Sequence, residues 1–222
     1  MYCIYGLLTS WLKLFHLQDI WHQFLTNLKQ TTLLEFIAVF AGIASVWFSR
    51  IENILVYPVG LVNTIIYVYL SFKFQLLGEA SVNFYYTVMS IYGWILWAKR
   101  DMSSQPIVHV TKCDRKWWTY QLSFFLAFYI VIYFSLTYLK TDFFEGVIPW
   151  ADAFASATAF TGMWLMTRKK LESWYWWILT NIASIPLYFV KHLAFTSVYY
   201  VVLLIMAVFG LIEWRKRAMK NS

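Results

Sequence analysis

The side chains able to do chemistry inside the apolar stretches of this 222-residue chain are neutral amides, hydroxyls and aromatic rings. Trp177, Asn181, Ser184 and Tyr188 recur at i, i+4, i+7 and i+11, one face of an α-helix. Asn63 and Tyr67 stand one turn apart in an earlier apolar run, and Gln121 lies about a turn inside another. An amide so placed can hydrogen-bond a ligand's carboxamide or hydroxyls, or it can bond a neighbouring helix, since a buried amide needs a partner of some kind. Aromatic residues make up 22% of the chain. Rings and neutral amides together suit an uncharged or weakly solvated cationic ring compound.

Other chemistries lack their groups. There is no phosphate-cradling glycine loop, nucleophile elbow, HExxH or paired-carboxylate motif, so no enzyme, cofactor or metal centre is expected. His16, His22, His109 and His192 fall outside the centres of the apolar runs, and Cys3 and Cys113 form neither a disulfide framework nor a CxxC motif. Glu35, Glu79 and Asp152 lie near one set of run ends and Glu52, Glu172 and Glu213 near the other. A proton or ion relay would place charge at mid-depth, so the pattern speaks against ion or proton coupling.

The elements that must hold these residues follow from composition. The chain is 61% hydrophobic and 13% charged, against roughly 45–50% and about 25% in globular domains. Apolar runs cover residues 33–48, 54–72, 82–98, 117–139, 147–166, 174–190 and 194–212. They are too continuous for barrel strands, which predicts an all-α integral membrane protein with seven transmembrane helices. Before them, Leu14, Leu17, Trp21, Phe24, Leu25 and Leu28 at helical spacing oppose Lys13, Gln18, Asp19, His22 and Gln23. Residues 1–30 are therefore expected to form an amphipathic helix on the membrane surface, not a cleaved signal. The net charge of +7 comes from short clusters at run ends, as membrane topology requires, which argues against a nucleic-acid partner.

An internal repeat is legible. Gly93-Trp94-Ile95-Leu96-Trp97-Ala98-Lys99-Arg100 aligns with Gly210-Leu211-Ile212-Glu213-Trp214-Arg215-Lys216-Arg217 at an offset of 117, and Trp47 aligns with Trp164. Glu52 is matched to Glu172 by allowing three extra residues in the later loop. Three helices reverse the chain, so a fourth must restore its direction before the copy begins. The prediction is a 3+1+3 plan of parallel repeats, SWEET-like, with substrate between the repeats. Its boundaries are 1–30 for the N-terminal segment, 31–100 for the first repeat, 101–146 for the linking loop and fourth helix, 147–217 for the second repeat and 218–222 for the tail. Pro58 and Pro186 are read as interruptions of the second and sixth helices. Trp97 and Trp214, mates ahead of basic clusters, read mainly as interface anchors, with Trp97 kept in the candidate site. Trp94 has Leu211 as its mate and so breaks the repeat symmetry, as a site for an asymmetric ligand must.

Tyr92-Gly93-Trp94-Ile95-Leu96-Trp97 resembles the YGWxxW signature of the PnuC nicotinamide riboside transporters. Pro58-Val59-Gly60-Leu61, Leu171-Glu172-Ser173-Trp174 with Asn181, and the closing segment from Gly210 to Lys216 are also similar to that family's pattern. Ser173 stands where the family pattern has asparagine. The resemblance covers about Leu33 to Arg217. It implies a carrier of nicotinamide riboside in the bacterial inner membrane, working by facilitated diffusion (uniport). It further implies a homotrimer in membrane lipid and a functional link to a cytosolic nucleoside kinase that traps the nucleoside as its phosphate. The pyridinium ring is a permanent cation, attracted to desolvated aromatic faces by about 2 kcal/mol or more. On this reading the substrate-binding candidates are Trp94, Gln121, Asn181, Trp177, Tyr188, Asn63, Tyr67 and Trp97. A thiamine or riboflavin carrier is the nearest alternative, ahead of a passive pore or an intramembrane enzyme acting on lipid.

Of the 18 basic residues, 13 fall on the side holding the C-terminus, which predicts a cytoplasmic C-terminus and an external N-terminus. A reporter fused after Ser222 is expected to be active only in the cytoplasm. Cytoplasmic labelling of Cys3 in oriented vesicles would contradict this topology.

Overall fold

The computed structural model describes residues 24–26, 28, 31–73, 77–143, 147–191 and 193–220. The expected amphipathic helix over residues 1–30 lies almost wholly outside the described residues, with Cys3, His16 and His22, and so does His192. Seven named helices follow: α1 (Leu33–Arg50), α2 (Val56–Lys73), α3 (Leu77–Ala98), α4 (Arg115–Phe143), α5 (Pro149–Thr167), α6 (Ser173–Val190) and α7 (Ala194–Lys220). α7 runs three residues past the boundary expected at 217.

Helix starts and stops have local causes. At the head of α1 the Glu35 backbone N–H donates to Thr32 Oγ1 at 3.3 Å and the Thr32 N–H donates to Glu35 Oε2 at 2.6 Å, a reciprocal capping box. Asp152 does similar work at the head of α5, where it accepts from the Ile148 N–H at 2.7 Å. Each carboxylate lies in the first turn of its helix, where the helix dipole favours negative charge. Pro58 is the third residue of α2 and interrupts nothing, because the first turn has no N–H to lose. Only Pro186 is interior to its helix, and the Ser197 hydroxyl of α7 donates to the preceding Ile185 carbonyl at 2.9 Å.

The repeat runs through the structure at one offset. α2 and α6 begin at 56 and 173 and end at 73 and 190, α3 and α7 begin at 77 and 194, and α1 and α5 end at 50 and 167. No insertion separates them, so the match of Glu52 to Glu172 is corrected: its counterpart is Lys169. Both residues hold left-handed backbone, φ 62° and 51°, in equivalent loops. Within each unit, successive helices pack on one another. Between units α1 packs on α7 and α3 on α5, so α1, α2, α3, α5, α6 and α7 close into a ring, and α4 leans on α5 from outside.

Among the described residues three helices, α1, α4 and α7, qualify by length and apolarity to cross a membrane, with mean hydropathy 1.5, 1.5 and 2.3. Seven were expected. The other four are diluted by polar residues turned into the ring, among them Thr64, Ser90, Thr158, Thr161, Thr180, Asn181 and Ser184, all buried. Their outward positions stay apolar, as at Ile65, Phe72, Phe84, Val88, Ile91 and Ile182.

Two glycines set the closeness of the core. A Cβ on Gly93 would fall 2.4 Å from the Tyr57 ring, and one on Gly210 would fall 2.4 Å from the Trp174 ring. Tyr57 and Trp174 are themselves counterparts, each 1% exposed. Gly93→Ala and Gly210→Ala are each expected to lose about 1–3 kcal/mol by overpacking. Gly60→Ala, which meets only Ser45 Oγ at 3.1 Å, should cost much less. Thermal unfolding in detergent would rank the three, and equal losses would contradict this packing.

Candidate functional site

The interior face is built from α2 and α6, whose polar residues appear in reversed order. Asn63-Thr64 stands in register with Thr180-Asn181, and Tyr67 and Ser71 with Ser184 and Tyr188. Gly60, packed on Ser45 of α1, corresponds to Trp177, which packs on Gly162 of α5. The two units therefore present the same backbone with large and small side chains exchanged.

Trp177, Asn181 and Tyr188 share a face of α6, and Asn181 is 3% exposed. Around them the structure gathers tyrosines from three further helices. Tyr86 of α3 lies 6.1 Å from the Trp177 ring and 6.3 Å from Phe160 of α5. Tyr188 stacks on Tyr200 of α7 at 5.1 Å, and Tyr199 sits edge-on to Tyr200 at 5.8 Å. The hydroxyls of Tyr188 and Ser184 lie against that of Tyr200. Asn63 donates to the Ala38 carbonyl at 2.7 Å and, with the Tyr199 hydroxyl, occupies the space that a side chain at Gly42 would fill. Tyr67 and Glu79 lie near this group. Five of the expected residues thus converge: Asn63, Tyr67, Trp177, Asn181 and Tyr188.

Three do not. Trp94 stands 40% exposed on α3. Gln121 is fully buried on α4 outside the ring, where its Oε1 accepts from the Trp176 indole at 2.7 Å. Its Nε2 has no partner among the described residues. Trp97 lies at the basic end, 4% exposed, and Trp214 is fully buried beside it, ring centroids 6.2 Å apart. Neither stands in an interface belt, which corrects the reading of both as anchors. Each indole instead reaches a carbonyl of the other unit, Trp97 to Thr167 at 3.1 Å and Trp214 to Ser49 at 3.0 Å.

Tyr86, Tyr199 and Tyr200 were missed, although a signal existed. Their counterparts are Leu203, Val82 and Asn83, so the symmetry-breaking argument that selected Trp94 applies equally to them. At the basic end Lys169 pairs with Glu52 at 2.6 Å and Arg217 with its other oxygen at 3.0 Å. Burial pushes the Lys169 ammonium below its ordinary pKa, and Glu52 opposes that shift. Cys113 is held inert, its thiol pushed up by burial and then by Glu172. At the opposite end Lys191 pairs with Asp152 at 2.6 Å and lies 5.8 Å over the Tyr188 ring.

The Gln121–Trp176 bond invites a double-mutant cycle. Gln121→Leu and Trp176→Phe singly are each expected to lose about 1–3 kcal/mol, because each leaves a buried polar group unmatched. The pair together should cost less than the sum, as read by thermal unfolding. Strict additivity would mean the bond does not hold α4 to the ring.

Comparison with known proteins fits this architecture. The nicotinamide riboside transporter PnuC of Escherichia coli is 20% identical over 214 residues, covering 85% of this chain and 87% of that protein. PnuC of Neisseria mucosa is 26% identical over 193 residues, with 84% of this chain and 73% of that protein covered. The riboflavin/roseoflavin transporter RibM of Streptomyces davaonensis is 28% identical, but over 74 residues, about a third of each chain. Among solved structures, the crystal structure of the vitamin B3 transporter PnuC superposes with a TM-score of 0.69 at 22% identity, covering 93% of this chain and 91% of that one, which shows a shared fold. The family model described as nicotinamide mononucleotide transporter matches residues 32–216. With its apolar helices, this multi-pass membrane protein belongs to the nicotinamide mononucleotide transporter family.

Proposed function

We propose that this chain carries nicotinamide riboside across the bacterial cytoplasmic membrane by facilitated diffusion. On this reading it works as a homotrimer of seven-span subunits in a 3+1+3 plan, N-terminus outside and C-terminus inside. The observation that carries the proposal is the tyrosine-rich interior between the two units, into which the amides of Asn63 and Asn181 are set. Tyrosine and tryptophan faces attract a pyridinium cation, and the Glu79 carboxyl adds an acidic group nearby. The amides and tyrosine hydroxyls can meet carboxamide and ribose. Contacts between counterparts support parallel repeats about a central axis: Ser49 with Met166, Glu52 with Lys169, and Trp97 with Trp214.

The interior also favours a nucleoside over a nucleotide. A phosphate needs cations, and the nearest to the tyrosines, Lys191, is committed to Asp152. Riboflavin is the less favoured rival, because the likeness to its carrier covers only a third of the chain. Thiamine, also a cation, is separated by a binding panel. Uncoupled transport is supported by the employment of Glu35 and Asp152 as helix caps.

In proteoliposomes at zero potential, uptake of nicotinamide riboside is expected to saturate, stop at equal concentrations and ignore sodium and proton gradients. An encapsulated kinase with ATP should convert this equilibration into continued accumulation of label. Asn181→Leu and Tyr200→Ala should weaken binding by calorimetry, roughly tenfold, or about 1.4 kcal/mol each. Concentrative uptake of unmodified nucleoside at zero potential would overturn uniport and direct attention to Glu79, which serves neither as a cap nor in an ion pair among the described residues.

A further inference from the structure

The described residues hold one feature that the transport reading does not use. At the basic end, between the last turns of α7, the α1–α2 loop and the loop from Lys99 to Asp114, lies a cleft of about 500 Å³. Arg100, Lys169, Arg217, Lys220 and His109 line it, and Glu52 is its only carboxylate. That carboxylate is spent, since one oxygen holds Lys169 and the other Arg217. Arg100 and Lys220 have no carboxylate partner among the described residues. The nearest candidate in sequence, Asp101, turns its Oδ1 to the backbone N–H groups of Ser103 and Gln105 at 2.8 and 2.9 Å, closing its own turn. Lys169 is 4% exposed, a desolvated ammonium that shares its single carboxylate with an arginine. Such a charge gains from a further anion more than an exposed lysine would.

The walls are preformed. The Ile107 N–H donates to the Lys99 carbonyl at 3.3 Å, the Thr111 N–H to Lys169 at 3.1 Å and the Leu171 N–H to Thr111 at 2.9 Å. The loop is thus stitched to itself and to the α5–α6 loop, which fixes the backbone that carries Arg100 and Lys169. Two guanidiniums and two ammoniums converge from three segments. Glu52 serves Lys169 and Arg217, Glu213 also accepts from Arg217 at 3.4 Å, and Arg100 and Lys220 are left with donors that no carboxylate among the described residues accepts. A phosphate, with several oxygens and up to two negative charges, matches that set.

We propose that this cleft binds a phosphate group. The group is borne either by an anionic lipid at headgroup level or by a soluble phosphomonoester in the compartment that this end faces. The bound phosphate bridges Arg100 and Lys220, the two cations without a carboxylate, beside the Lys169–Glu52–Arg217 cluster. Because Glu52 and Lys169 belong to different three-helix units, occupancy also clamps the two units at this end.

The test is thermal unfolding of the full chain in neutral detergent at constant ionic strength. Titrants are ribose 5-phosphate, inorganic phosphate, and phosphatidylglycerol against phosphatidylcholine. A saturable rise of several degrees is expected with a phosphate-bearing titrant and none with phosphatidylcholine. Arg100→Gln with Lys220→Gln, neither of which breaks an internal ion pair, should weaken the apparent affinity at least tenfold. Lys112→Gln with Lys116→Gln, an equal charge change outside the cleft, should leave it unaltered. A response to phosphatidylglycerol alone assigns the site to lipid, and a response to ribose 5-phosphate assigns it to a soluble ligand; either upholds the proposal. No saturable response, or an equal loss in both double variants, overturns it. The readout requires no transport, so its outcome is independent of the substrate.

Discussion

The fold depends on a reciprocal pair of hydrogen bonds at the basic end. Trp97, at the end of α3, donates to the last residue of α5, and Trp214, toward the end of α7, donates to Ser49 at the end of α1. A helix C-terminus leaves its final carbonyls without intrahelical donors, and a buried indole needs an acceptor. Each bond gives a buried indole its acceptor at a helix end, Thr167 by a terminal carbonyl and Ser49 by one that also accepts the Glu52 N–H at 3.0 Å, while joining one three-helix unit to the other. The Trp97 and Trp214 rings meet between them, and the Lys169 ammonium lies 4.5 Å over Trp97. Closure of the six-helix ring follows from these crossings, because α1 must lie beside α7 and α5 beside α3.

Given that frame, the proposed site lies where the two units differ. Their backbones keep a constant register, yet the second helix of each carries its large and small residues in opposite places. Trp177 can occupy the interior because Gly162 leaves room, and its counterpart Gly60 leaves room for Ser45. Tyr199 and Asn63 likewise fill the volume above Gly42. A symmetric pair of faces would offer an asymmetric ring compound two half-sites. The exchange instead gives the two walls different side chains, Trp177, Asn181 and Tyr188 on α6 and Asn63 and Tyr67 on α2.

Charge is partitioned along the same axis. Acidic groups cap helices at one end, at Glu35 and Asp152, and bind cations at the other, at Glu52 and Glu213. The space between is lined by neutral side chains, with Glu79 at its margin. A neutral interior spares the desolvation cost of fixed charge in a low-dielectric medium. On the proposed function it would also let a cationic substrate enter and leave on polarizable faces, with no counter-ion to trap it.

The sequence by itself determined the helical class, the run positions, the repeat offset and the family, because each is written in local periodicity or in motifs at fixed spacing. Trp177, Asn181, Ser184 and Tyr188 were legible as one face for the same reason: helical geometry is a short-range rule. Tertiary structure alone decided which face met which. Trp97 and Trp214 sit beside basic clusters in sequence, as membrane anchors do, and only the crossing of the units turns them inward. Gln121 reads as a site amide until α4 is placed outside the ring, where its oxygen belongs to Trp176. Tyr86, Tyr199 and Tyr200 become candidates only when α3 and α7 bring them to the same interior. Contacts between residues more than a hundred positions apart depend on how helices are arranged in space, and no local pattern encodes that arrangement.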